Sequence, residues 1–127
     1  MFLILKKMHK KCENKEHIVA LGSVNGKWIV MDLIKHEVIS VHGDAGGEQV
    51  QTIEYSPDGK YLAVGSRDNF IYIYQVLDDG LHYTKVGRCS GHSSFILHID
   101  WSMDSSYIRT MSGDYAILYW TPSDCQQ

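Results

Sequence analysis

Three groups of residues in this 127-residue chain have the types and spacing to do chemistry. Ser112, Asp114 and His92 are the residue types of a hydrolytic triad, in which histidine takes the serine proton and aspartate orients the imidazole. Cys89, His92 and His98, with two and five residues between them, imitate the spacing of zinc ligands. Gly22 to Lys27 has the glycines and lysine of a phosphate-binding loop. Each fails on its surroundings. Ser112 sits in no Gly-x-Ser-x-Gly elbow. The cysteine and histidines have no partner Cys-x-x-Cys, and His98 alternates with Leu97 and Ile99, as a residue facing solvent or a neighbouring strand would. Only three residues separate Gly22 from Gly26, and Trp28 follows Lys27 where a Ser or Thr is required, so this segment reads as a hairpin. No catalytic residue, metal or cofactor is expected, and the chain is not expected to be an enzyme.

The elements that hold these residues repeat. Ser56 to Ser66 aligns with Ser102 to Ser112 at an offset of 46, and without a gap Asp68 falls on Asp114, Ile71 on Ile117 and Tyr74 on Trp120. An upstream copy at an offset of 43 places Gly22-Ser23 on Gly65-Ser66, Asn25 on Asp68, Trp28 on Ile71 and Val30 on Ile73. Short apolar runs separated by turn residues, with no helical period between them, predict ten strands. They are 18–22, 28–32, 38–41, 50–55, 61–65, 70–75, 83–86, 96–101, 107–111 and 116–120. Asn25-Gly26 suits a turn needing positive φ; Pro57 fixes one φ and Gly59 supplies a left-handed position; Asp68-Asn69 and Gly113-Asp114 occupy corresponding places. Four strands per 43 to 46 residues is the arithmetic of a β-propeller blade. The expected fold is all-β: about three four-stranded antiparallel blades, too few to close a ring, over residues 18–48, 49–90 and 91–127, as a piece of a longer protein.

Gly91-His92, Ser112, Asp114 and Trp120 give the third unit its resemblance to WD40 repeats. That resemblance implies a buried polar chain in which His92 binds Asp114 while Ser112 and Trp120 complete it. Such a set rigidifies its surroundings when every member is paired. The middle unit is degraded, with Gly46 opposite His92 and Tyr74 opposite Trp120, although Ser66 and Asp68 remain. Asp32 alone stands where the aspartate of a Trp-Asp ending would.

A more specific resemblance runs through Gly22 to Asp32, Asp68 to Tyr74, Gly91 to Ser102 and Ser112 to Trp120. These stretches are similar to the second propeller of echinoderm microtubule-associated protein-like proteins, over about residues 18–125. The resemblance implies a non-catalytic scaffold that binds tubulin or microtubules, in the cytoplasm and on the cytoskeleton. It also implies an acid where this chain has Ala116. The alternative is a generic WD40 adaptor presenting a peptide-binding surface in signalling or ubiquitin ligation.

Charge and composition narrow the partners. Residues 1–17 carry five Lys against Glu13 and Glu16, net +3, and match nothing in either resemblance, so they read as a basic tail. The remaining 110 residues are net −6, which offers no clustered positive surface for phosphate neutralisation and argues against nucleic acid. Phe2 to Leu5 is far shorter than the roughly 18 apolar residues of a membrane span. The lysines follow this run instead of preceding it, so no export signal is expected. Cys12, Cys89 and Cys125 are an odd number with no close pair, as in a reduced compartment. Strand alternation makes most of the eight tyrosines packing residues, with one or two as surface anchors. Open blade edges are expected to make the chain self-associate.

Overall fold

Two turns of one design show how the repeat becomes structure. Ser56 and Ser102 each donate a hydroxyl hydrogen bond to the carboxylate two residues on, Asp58 at 2.7 Å and Asp104 at 2.8 Å. The same two serine oxygens accept the amides of Tyr61 and Tyr107, both at 3.0 Å. The left-handed position is Gly59 in one turn, φ 74°, and Ser105 in the other, φ 63°. Ser105 is held in that costly conformation while its hydroxyl accepts the Asp58 amide at 3.2 Å, joining the two turns.

The computed structural model describes residues 18–43, 47–123 and 125, and residues 2–7 by their backbone alone. Gly46, Cys12, Lys10, Lys11 and Lys15 lie outside the described residues, and with them most of the basic tail.

The strands are β1 (Phe2–Lys7), β2 (Ile18–Ser23), β3 (Trp28–Asp32), β4 (Glu37–His42), β5 (Val50–Tyr55) and β6 (Tyr61–Ser66). They continue as β7 (Ile71–Leu77), β8 (His82–Cys89), β9 (Ile96–Trp101), β10 (Ile108–Ser112) and β11 (Ile117–Trp120). All ten expected strands are present with ends shifted by up to three residues, and β1 is additional. Phe2–Lys7 pairs antiparallel with β2, Lys7 opposite Val19 and Phe2 opposite Ser23. The sheets run β1-β2-β3-β4, β5-β6-β7-β8 and β9-β10-β11, each an antiparallel meander. These are three blades, the third with three described strands, and they form no closed ring.

The middle blade is buried on both faces, which is why its strands read as almost continuous apolar runs. Leu62, Val64, Tyr72, Tyr74 and Val76 point toward the first blade and pack with Ile18, Ala20, Trp28 and Val30. Ala63, Ile71, Ile73 and Cys89 point the other way, onto Ile96, Ile99, Ile108 and Trp120. Full burial of each such large side chain stabilises the stack by about 1.5 to 3 kcal/mol. Two glycines let the blades approach. A Cβ on Gly22 would lie 2.5 Å from Val50 Cγ1, and one on Gly65 would lie 2.7 Å from both Ile96 Cγ2 and Thr52 Cγ2. These contacts correspond under the repeat: the second strand of each blade is bare where the inner strand of the next one enters. In the third blade the corresponding residue is Met111. It lines an open hollow with His98, Asp100, Arg109 and Ile117 that no further sheet covers among the described residues.

Candidate functional site: the polar chain of the third blade and the turn rim

β10 places Ile108, Thr110 and Ser112 on one buried face by strand alternation, and the end of β11 places Trp120 beside them. The connection from β8 to β9 brings in His92, 8% exposed. Trp120 Nε1, which can only donate, gives its hydrogen to Thr110 Oγ1 at 2.8 Å. Thr110 Oγ1 also lies 2.6 Å from His92 Nε2. Because the threonine oxygen already accepts from the indole, its own hydrogen is best used toward Nε2. That leaves the proton of a neutral imidazole on Nδ1, a buried atom without a hydrogen-bond partner among the described residues.

The second half of the set is separate. Ser112 donates to Asp114 Oδ1, Ser93 donates to Asp114 Oδ2 at 2.7 Å, and the Ala116 amide donates to Oδ1 at 3.2 Å. These bonds, the Ser112 one foremost, hold the Asp114 carboxyl down to about 2. Two parts of the expected arrangement therefore change. His92 makes no hydrogen bond to Asp114, because its bonded nitrogen is turned to Thr110. Asp114 is also exposed, in the turn between β10 and β11. Thr110 and Ser93 were not singled out from the sequence. The signal for Thr110 was its shared parity with Ser112 on a buried strand face, two residues along.

This geometry takes the triad apart: Ser112 is bonded to the aspartate, and neither imidazole nitrogen bonds a serine. The zinc set does not assemble either. Cys89 is fully buried, His98 is exposed, and among the described residues no three His, Cys, Asp or Glu are close enough to hold a metal. Gly22 to Lys27 is the β2–β3 hairpin, with Gly26 at φ 83° and the Ser23 hydroxyl donating to the Lys27 carbonyl at 2.7 Å. In the second and third blades the left-handed position of this turn falls on Asn69, φ 77°, and Tyr115, φ 65°, one residue beyond the Gly113-Asp114 pair.

His92 gives the polar chain a pH dependence. Burial holds its imidazole below the ordinary value of 6.5, against the opposing pull of Asp114. The unfolded chain therefore takes up this proton first as pH falls, so the histidine's contribution is complete above about 6.5 and is lost as pH drops toward the depressed folded value. Urea unfolding at pH 7.5 and 5.5 is expected to show a smaller stability loss on acidification for His92→Gln than for the wild type. Equal losses would place the imidazole in solvent.

The rim formed by these turns carries two cation–aromatic stacks that the sequence did not announce. Arg67 lies over Phe95 at 4.7 Å and Arg88 over Phe70 at 4.2 Å. The rim is tied to the inner strands in register: the Arg67 amide donates to the Gln49 carbonyl at 3.0 Å and the Gly113 amide to Phe95 at 2.8 Å. Of the eight tyrosines, Tyr55, Tyr72 and Tyr74 are buried, whereas Tyr107, Tyr115 and Tyr119 are exposed, one more than the expected number of surface anchors.

Comparison with known proteins agrees with this architecture. The family model for the echinoderm microtubule-associated protein second beta-propeller matches residues 7–127. Mouse (Mus musculus) echinoderm microtubule-associated protein-like 1 is 54% identical over 110 residues, 87% of this chain and 13% of that protein. The 77 kDa echinoderm microtubule-associated protein of Strongylocentrotus purpuratus is 52% identical over 110 residues, again 87% of this chain and 16% of that one. The chain thus spans about an eighth to a sixth of the length of these relatives. Among solved structures, the RRP9 WD40 repeats superpose with a TM-score of 0.85 at 16% identity, covering 98% of this chain and 36% of that one. The β-propeller domain of Myceliophteria thermophila Cps50 (Swd1) gives 0.77 at 15%, covering 96% and 38%. These two likenesses speak for the fold alone. The stack of three meander blades, the turns in a 43 to 46 residue register and the family match together make this chain a member of the echinoderm microtubule-associated protein family, within its second β-propeller.

Proposed function

We propose that these blades serve a non-catalytic scaffold that engages tubulin or microtubules in the cytoplasm, on the cytoskeleton. The observation that carries this reading is the family match over residues 7–127. The disassembled triad fits it, since the residues nearest to a catalytic set are committed to bracing a turn. The polar chain of His92, Thr110 and Trp120, with Ser112 and Asp114 beside it, has the role of stiffening the rim of the third blade.

Tubulin presents an acidic surface, while residues 18–127 are net −6, so binding must come from shaped short-range contacts over a wide face. Three blades offer part of such a face. The open side of the third blade, with hollows of about 270 and 310 Å³ lined by Met111, Ile117, Trp101 and Tyr119, is the surface through which the isolated chain self-associates.

Microtubule co-sedimentation tests the reading. A complete propeller carrying these residues is expected to pellet, and the 127-residue chain to pellet weakly. Part of the weak signal, owed to the basic residues before Ile18, fades as salt rises from about 0.05 to 0.15 M and screening shortens to about 8 Å. A complete propeller left in the supernatant would count against tubulin as the partner. Tight, salt-resistant pelleting by a version starting at His17 would place a whole tubulin site within these blades.

A further inference from the structure

The chain has three arginines, and they are used in two different ways. Arg109 spends its guanidinium on Asp100 at 2.7 Å. Arg67 and Arg88 instead hold their guanidinium groups over phenylalanine rings at exposed positions, and neither pairs with a carboxylate among the described residues, although Arg88 also acts on the Tyr72 hydroxyl. A guanidinium held over an aromatic face keeps donors that the ring does not use, and a carboxylate can accept two of them. The acids of the neighbouring turns are already engaged. Asp68 accepts the Phe70 amide at 3.0 Å and the Tyr72 hydroxyl, while Asp114 accepts Ser112, Ser93 and the Ala116 amide.

The two stacks are parts of one strip. Both involve the β6–β7 turn, which supplies Arg67 to one stack and Phe70 to the other. The Phe95 ring under Arg67 also underlies the next turn: a Cβ on Gly113 would come within 2.9 Å of two of its ring atoms. Two residues on, Tyr115 is 77% exposed and held at φ 65°, where the equivalent turns have Gly26 and Asn69. A large aromatic residue kept in a left-handed conformation, with most of its surface in water, costs stability without return in packing.

We propose that this strip, with Arg67 and Arg88 as carboxylate receptors and Tyr115 as a contact beside them, docks an extended acidic segment of a partner polypeptide. This deepens the scaffold reading by naming a surface and a partner chemistry. It is tested without microtubules, so that its failure and the failure of tubulin as partner are told apart.

The test is fluorescence anisotropy of a labelled deca-glutamate peptide with the full chain, beside a deca-glutamine peptide. Binding is expected for glutamate only. Arg67→Gln and Arg88→Gln are each expected to weaken it about 10-fold, the loss of a charge-assisted contact, and Arg67→Lys is not expected to restore it. Tyr115→Asn installs the residue of the middle repeat, so its melting temperature should hold or rise while affinity falls about five-fold. This variant separates binding from folding. Equal binding of deca-glutamine, unchanged affinity in all the variants, or heparin or anionic vesicles binding where deca-glutamate does not, would each overturn the proposal.

Discussion

Replacing Gly65 with valine is expected to destabilise the chain by about 3 kcal/mol or more, a large part of the stability of a domain this size. Gly65 lies in β6 where β9 of the next blade crosses, and even a single Cβ there would meet Ile96 and Thr52 methyl groups at 2.7 Å. Neither neighbour is the free end of a flexible side chain, so relief requires the strands to move apart and the contacts of Ala63, Ile71 and Ile73 with the third blade to loosen. Gly22→Val should act in the same way through Val50. Met111 is the internal control: it holds the corresponding place in β10, and Met111→Ala, at a half-buried site facing an open hollow, should cost no more than about 1 kcal/mol. Urea midpoints for the three variants give the comparison. A Gly65→Val midpoint equal to that of the wild type would mean that the blades do not pack as described.

Trp120→Ala should cost about 3 to 5 kcal/mol, the usual loss for a fully buried aromatic residue truncated in a core. Thr110→Val keeps the side-chain shape but leaves Trp120 Nε1 and His92 Nε2 both without a partner, for about 2 kcal/mol or more. Asp114→Ala should be much milder, since the carboxylate is exposed and the bonds it accepts hold a turn outside the core. Thermal unfolding orders the three. If Asp114→Ala proved as damaging as Thr110→Val, the polar chain would run from His92 to Asp114 after all.

The fold was legible because the repeat fixes residues whose role is geometric. Gly59 at its left-handed position and the Ser56 and Ser102 turns could be read from spacing, and the structure places them on one design. Alternation separates the two faces of β7, but which blade each face meets is set by the packing alone. Less was legible where two readings shared one pattern. Ser112 and Thr110 both carry hydroxyls on the same strand face, and only the direction of the Trp120 indole and the His92 imidazole selects Thr110. Phe2–Lys7 is apolar enough for a strand and takes the place in the first blade that β5 has in the second, but no sequence match marks it, and its pairing with β2 is a long-range contact across 8–17. The cation–aromatic stacks are tertiary: Arg67 meets Phe95 and Arg88 meets Phe70 across turns, at separations that no local period marks. The bareness of Gly22 and Gly65 had a sequence signature, the 43-residue offset that relates them, but its meaning depends on which strand enters from the next blade.

All of this depends on the three sheets behaving as one stack joined by two equivalent interfaces. Native-state amide hydrogen exchange measures that most directly, because amides that open only by global unfolding share one free energy. The amides of β6, β7 and β10, together with those of Arg67 and Gly113 that tie the rim to the inner strands, are expected to be the slowest and to lose protection together with denaturant. The outer strands β4 and β11 should exchange sooner. Strands β9 to β11 exchanging independently, with far lower protection than β6 and β7, would contradict a single stack.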